Sequence, residues 1–333
     1  MKKQSLWLTI FAVLVLALAL PAQAKKAEYS ISAGTNGAIG TEEHQAVEYF
    51  GRRLAEETNG RFQVDCFSME IGDAMAQIES VMGGVQQVYI GELTWFANLN
   101  KNLNIAGLAF QFKNEDHLLR FLHSEVGQKV WEDIRSQHGV RVLDYTGLRA
   151  PRVTLSKRPL NSLADIQGLK MRVPEIPIYM RVWDYLGAAS HRVTWGEMYL
   201  GLAGGLLEAH EGPLDGCLAI RTYEQAPYLH RTDHIYASEV IIINEDFFQS
   251  LPADLQEIVV KVAEETGAYY DQIVKTNMET AMEIMASEGT TILWNEDLRE
   301  ELRQKLAPLG PQLEKEGYWD AGLCDYVNQL AEE

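Results

Sequence analysis

From Ala253 to Ser287 the chain runs for 35 residues without a proline and with one glycine, Gly267, introduced by Leu251-Pro252. Within this run Ile258, Val259, Val262, Tyr269, Ile273, Met278, Met282 and Met285 recur at roughly helical spacing. A single helix of that length would extend about 52 Å, at about 1.5 Å per residue. That is more than one small domain needs, and such a helix would brace two. The same residues also allow two shorter helices broken near Gly267, and the pattern leaves both open.

Two domains are also what the length calls for. Lys2 and Lys3 precede an apolar run from Leu6 to Leu20 that ends in Pro21-Ala22-Gln23-Ala24, the layout of a secretory leader with a small-residue cleavage site. The run is shorter than the roughly 20 apolar residues of a membrane-spanning helix. Cleavage after Ala24 is expected, with no cysteine following to take a lipid. The remaining 309 residues exceed what one hydrophobic core usually supports. They carry 27 basic and 47 acidic side chains, a formal charge of −20. That balance argues against nucleic-acid binding, which needs a basic surface.

Short strand-like runs, Glu28 to Ala33, Phe62 to Phe67 and Val88 to Gly91, alternate with helical stretches, Glu42 to Asn59 and Asp73 to Met82. Thr41 is placed to cap the first helix and Asn59-Gly60 to stop it. The alternation implies an α/β fold with a parallel or mixed sheet. No linker separates two halves, so the chain is expected to cross between lobes through ordered segments.

Catalytic patterns are missing. The sequence holds no G-x-S-x-G elbow, no P-loop and no H-E-x-x-H helix. Gly204-Gly205 lacks the order of a dinucleotide loop. His230 and His234 have the i, i+4 spacing of a helical metal pair, but Tyr228-Leu-His-Arg-Thr-Asp-His reads as a helix ending. Cys66, Cys217 and Cys324 are an odd, scattered set with no C-x-x-C pair; an oxidising compartment permits one disulfide, and free thiols are expected. Neither cofactor nor metal is implied.

What stands out is the arginine-rich segment TGLRAPRVTLSKRPLNSLADIQGLKMRVP, residues 146 to 174. Arg152 lies 20 residues before Arg172, which ends a short alternating run, Leu169 to Val173, before Pro174. An arginine fork grips a carboxylate through two parallel charge-assisted hydrogen bonds. Two arginines converging on a cleft would make an anion site. Spacing alone favours solvated surface charge.

The chain resembles the solute-binding component of tripartite ATP-independent periplasmic (TRAP) transporters, of the DctP type. The matching elements are GLKMRVP at 168 to 174, LGA at 186 to 188, TWGEMYL at 194 to 200, HEGP at 210 to 213 and TYE at 222 to 224. TDH at 232 to 234, NEDFFQSLPADLQ at 244 to 256 and EIGD at 70 to 73 complete the set. The resemblance implies two α/β lobes that close on a small organic carboxylate like a Venus flytrap, with a long helix spanning both. It implies lobes of residues 25–149 with 238–277 and 150–237 with 278–333, after a leader of 1–24. It implies a periplasmic location and delivery of the acid to TRAP membrane permease subunits. By the same resemblance Arg172 is the principal carboxylate clamp and Arg152 its partner. Glu92 matches an acidic contact of sialic-acid-binding relatives, Trp195 an aromatic packed on the ligand, and Glu211 and His234 further cleft positions.

One departure is informative. Relatives usually carry Glu-Asn-Pro where this chain has Glu211-Gly212-Pro213, and that asparagine hydrogen-bonds the ligand. Glycine removes the donor and leaves space. With Trp195, and with Trp95 and Phe110 in reach, this points to a bulky or aromatic acid, held by stacking and apolar burial, although Trp183 and Phe110 also read as ordinary core. Two rival functions share the same ligand. One is a periplasmic enzyme acting on a carboxylate, with Glu92 or Glu211 as acid or base; the other is a sensor subunit.

Overall fold

The computed structural model describes residues 27–331, so the leader expected over residues 1–24 lies outside the described residues. Among the described residues eleven strands form two sheets. The first contains β1 (Tyr29–Gly34), β2 (Phe62–Phe67), β3 (Val88–Glu92), β4 (Val140–Leu148) and β10 (Ser238–Asn244), in the order β2-β1-β3-β10-β4. The second contains β5 (Arg152–Ser156), β6 (Lys170–Val173), β7 (Ala189–Arg192), β8 (Ala209–Pro213), β9 (Tyr228–His230) and β11 (Thr291–Leu293). Its order is β11-β9-β5-β8-β6-β7. Both are mixed. In the first, β1 pairs in parallel with β2 and β3 while β10 runs antiparallel to β3 and β4.

Sequence chemistry accounts for the framework. The Val-Ile-Ile-Ile run of β10 is buried throughout its length, as expected of a strand covered on both faces. The helix Glu42–Glu57 starts where Thr41 accepts from the His44 amide and ends before Asn59 and Gly60, both at positive φ. Asp73 caps the helix Ala74–Met82 through the Ala76 amide. The metal-pair spacing of His230 and His234 does not fall on a helix: His230 ends β9, bonded to Ser156, and His234 follows in a loop, bonded to Thr232. Cys66, Cys217 and Cys324 are free thiols.

The chain passes between the sheets three times. Residues 149–151 lead from β4 to β5, residues 231–237 lead from β9 back to β10, and the helix Ala253–Ser287 leads to β11. The first two passages lie side by side, with the Arg149 amide donating to the Ala237 carbonyl and the Arg152 amide to the Ile235 carbonyl. The third is one unbroken helix, which decides between the two readings of the Ala253 to Ser287 stretch. Gly267 does not break it. A Cβ there would meet the Asp144 carboxylate at 2.1 Å, and a Cβ at Gly147 of β4 would lie 3.2 Å from the Gly267 carbonyl oxygen. The glycine is a contact that lets the helix lie against β4. Its buried face, including Leu255, Val259, Val262, Tyr270, Val274, Ala281 and Met285, spans nearly the whole helix.

The fold is thus two α/β lobes joined by ordered crossings. The C-terminal helix Leu323–Leu330 returns to the helix Glu115–His123: His117 bonds the Val327 carbonyl and Arg120 donates to the Leu330 carbonyl. The helix Glu296–Leu306 packs instead on Pro177–Leu186, beside the second sheet.

Candidate ligand cleft

A cavity of about 330 Å³ opens between the two sheets. The first lobe lines it with Asn36, Glu43, Met69, Glu92 and Trp95, the second with Arg172, Pro174, Thr194 and Trp195, the first crossing with Arg149, and the start of β5 with Arg152.

Arg172 stands at the end of β6, one residue from the Val173-Pro174 turn into the helix that follows. It is 2 % exposed. Its Nε donates to the Val193 carbonyl at 2.8 Å, and its guanidinium carbon lies 5.5 Å from the Trp195 ring centre, within cation–π range. Its Nη1 is buried with no hydrogen-bond partner among the described residues. Burial pushes this guanidinium down to about 10, against the pull of Glu211. A buried charge of this kind is costly unless something anionic meets it.

Arg152 is in the opposite condition. Its Nη2 donates to Glu211 at 2.7 Å and its Nε to the other oxygen of the same carboxylate, a two-point grip. Its Nη1 donates to Glu92 at 2.8 Å, and the guanidinium lies 4.7 Å from the Tyr179 ring centre. Glu92 accepts further bonds from Thr94 and Tyr179 at 2.8 and 2.9 Å. Burial alone would raise both carboxyls. At Glu92 the charges of Arg152 and Arg149 together with the Thr94 and Tyr179 bonds outweigh it, and at Glu211 the charge and bonds of Arg152 together with His234 do so, holding both carboxyls below the usual carboxylate range. Because Glu92 belongs to the first sheet, Glu211 to the second and Arg152 to the start of β5, this set ties the lobes together.

The sequence-derived site residues therefore divide. Arg172, Arg152, Glu92 and Trp195 share the cavity wall. Glu211 is fully buried behind Arg152, and His234, 3.6 Å from Glu211 and edge-on to Trp183, stands behind that. Gly212 does not leave space for a ligand. A Cβ at Gly212 would lie 3.2 Å from the Trp195 indole, and one at Gly216 would lie 2.8 Å from it. The room made by the missing side chain is filled by Trp195. Trp95 lines the cavity, but Phe110 does not: it packs under Arg299 at 5.7 Å, with its amide on the His234 carbonyl. Trp183 is buried core.

A second charged set went unread in the sequence. Arg149 donates to Glu43 at 2.7 Å and to Glu239. Around it lie Glu42, whose carboxylate accepts from Asn277 of the long helix at 2.9 Å, and Asp215. Burial pushes the Glu239 carboxyl up to about 8, with Arg149 opposing, and Asp215 up to about 7, aided by the Glu43 charge. The only hint in the sequence was the acidic first turn, Glu42-Glu43, behind the Thr41 cap.

Comparison with known proteins decides the family. Residues 33–316 match the DctP model, described as bacterial extracellular solute-binding protein, family 7. The chain belongs to this family of TRAP solute-binding proteins. It is 28 % identical over 303 residues to the sialic acid-binding periplasmic protein SiaP of Vibrio cholerae, covering 90 % of this chain and 94 % of that one. It is 26 % identical over 288 residues to the 2,3-diketo-L-gulonate-binding periplasmic protein YiaO of Escherichia coli, covering 86 % and 88 %. The fold matches that of the sugar acid binding protein DctPAm of Advenella mimigardefordensis, solved with galactonate, at a TM-score of 0.86 and 22 % identity. That match covers 92 % of this chain and 99 % of the other. Among the described residues of the TRAP-family chain, no helix is long and apolar enough to cross a membrane.

Proposed function

We propose that this protein is the periplasmic receptor of a TRAP transporter, that it captures a small organic acid between its lobes without transforming it, and that it hands the acid to the membrane permease subunits. The observation that carries the reading is Arg172: a buried guanidinium on the cavity wall, with a donor, Nη1, that no group among the described residues accepts. A carboxylate docked there would supply the missing acceptors in bidentate form. The family supports the same reading, since SiaP, YiaO and DctPAm bear names of acid-binding proteins.

In this account the roles follow from what each group already does. Arg172 grips the carboxylate. Trp195, held by Gly212 and Gly216 and facing Arg172, offers a flat face to the body of the ligand. Met69, Met75, Trp95 and Ile176 complete an apolar wall, which suits an acid with an apolar or aromatic body better than one covered in hydroxyls. Because the indole takes the room beside Gly212, the volume of about 330 Å³ limits how bulky that body is. Arg152, Glu92 and Glu211 hold the lobes in register, and His234 backs Glu211. We place the lobe division at the two paired crossings, 149–151 and 231–237, with the long helix as a common brace. Closure then draws its energy from contacts the ligand makes only in the closed form.

The test is a thermal-shift and calorimetric screen of refolded protein, stripped of any carried ligand, against aliphatic, sugar and aromatic acids. A shift with one class, recovery of that compound unchanged, and loss of binding in Arg172→Ala support the receptor reading. Consumption of the compound, or full affinity in Arg172→Ala, overturns it.

A further inference from the structure

Around the cleft, buried carboxyl groups outnumber buried guanidinium groups. Six carboxyl groups, Glu42, Glu43, Glu92, Glu211, Asp215 and Glu239, are nine-tenths or more buried there, against the three guanidinium groups of Arg149, Arg152 and Arg172. That is an odd balance for a site that takes only an anion. The excess is not spread evenly. Glu92 and Glu211 share Arg152, whereas the four groups Glu42, Glu43, Asp215 and Glu239 share only Arg149 among the described guanidinium groups.

Three of these acids converge. One carboxylate oxygen each from Glu42, Glu43 and Asp215 lies within 4.8 Å of the others. Asp215 is 5 % exposed, and neither of its oxygens has a hydrogen-bond partner; the Gly216 amide polarises it without hydrogen-bond geometry. The Glu43 Oε2 is likewise buried and unbonded. Their origins matter as much as their distances. Glu42 and Glu43 open the helix Glu42–Glu57 on the first lobe, and Asp215 lies on the helix Leu214–Ala219, which follows β8 of the second. Moving the lobes together thus brings the unpartnered Asp215 carboxyl face to face with Glu42 and with the unbonded oxygen of Glu43. The amino end of the helix Glu42–Glu57 offsets a fraction of that repulsion, and Arg149, committed to Glu43 and Glu239, offsets another. The remainder calls for a positive group between the lobes.

We propose that Glu42, Glu43 and Asp215 form a cation subsite of the cleft, filled when the lobes close on the organic acid. The inference rests on the receptor reading for its second ligand but not for its residues. Three carboxylate oxygens at this spacing suit a compact hard cation such as Ca²⁺ or Na⁺, or the ammonium of a ligand that is itself zwitterionic. Glu43 and Arg172 line one cavity, so a single molecule with a carboxylate and an amine would address both. In either form the cation and the acid favour each other's binding.

The test uses the full mature chain, refolded from denaturant and treated with chelator. Calcium chloride and sodium chloride are titrated in while thermal unfolding is followed, alone and with each acid of the screen. In parallel, succinate is compared with aspartate and 3-phenylpropionate with phenylalanine by calorimetry. A rise in unfolding temperature with one of the metal ions identifies an inorganic cation. An amino derivative that binds about tenfold or more tighter than its parent acid identifies the ligand's own ammonium. Either response must be lost in Asp215→Asn and in Glu42→Gln; the second variant guards against misfolding of the first, since its amide still accepts from Asn277. The inference is overturned if the wild-type protein shows neither response, or if the response survives in both variants. A metal response in a protein that binds no acid at all would keep the subsite and remove the receptor reading.

Discussion

Arg152 and Arg172 line the same cavity and are equally buried, at 3 % and 2 % exposure, yet they are built for different work. Arg152 spends its donors on Glu92 and Glu211, one from each sheet, and is a clasp. Arg172 has one main-chain acceptor and an aromatic ring, and keeps a buried donor without a partner. Two arginines in one cleft are therefore not two halves of one anion clamp. The number of carboxylates already in reach decides which is structural and which receives a ligand. Arg149 is a third condition, a clasp among four buried acids: burial pushes Glu239 beside it up to about 8 against the opposing charge of Arg149, while Glu92 and Glu211 are pushed down.

Replacing each arginine by alanine separates the first two roles. Arg152→Ala leaves Glu92 and Glu211 buried and uncompensated, which costs about 3–5 kcal/mol of stability in denaturant unfolding at neutral pH. Arg172→Ala removes a charge that is itself uncompensated, so the unfolding temperature of the ligand-free protein stays level or rises. Its affinity for the organic acid falls instead, by about 1.5–3 kcal/mol for charge-assisted bonds, or roughly 10- to 150-fold. If Arg152→Ala were stable, or Arg172→Ala unfolded, the two assignments would be exchanged.

A finer cut addresses the support of Arg172. Gly212→Asn restores the side chain usual among relatives but drives it into the Trp195 indole. Overpacking of this kind costs about 1–3 kcal/mol, and displacing the indole from Arg172 should weaken acid binding as well. A variant that bound the acid more tightly would show that the indole is dispensable.

A further prediction concerns pH. The Glu239 carboxyl titrates near 8 in the folded protein and near about 4.3 in the unfolded chain. Between those values the folded state holds the extra proton, so stability falls as pH rises through this window. Glu239→Gln, which mimics the protonated form, should flatten the decline in unfolding temperature from pH 5 to pH 8. Glu92 and Glu211 work with the opposite sign: their folded values lie below the unfolded one, so their contribution is present above about pH 4.3 and is lost on further acidification.

How much of this the sequence discloses depends on how local each feature is. The long helix is legible because 35 residues of periodic apolar character form one local pattern, and only the role of Gly267 needed the neighbouring strand. Arg172 is legible because it ends a short strand inside a motif. The Gly212 departure was visible, but its consequence was not, since the indole that fills the space comes from residue 195 on a different segment. The Arg149 set draws on residues 42, 43, 149, 215 and 239, and no spacing rule joins them. Only the packing of the two lobes does.

The central claim is that the acid is gripped by Arg172 while Arg152 remains a clasp, and a crystal structure with a bound acid from the screen tests it most directly. The account predicts a carboxylate at about 2.7–2.9 Å from the Arg172 guanidinium nitrogens, with the ligand body against Trp195 and Arg152 still bonded to Glu92 and Glu211. A carboxylate seated on Arg152, with Glu92 or Glu211 displaced, would contradict it.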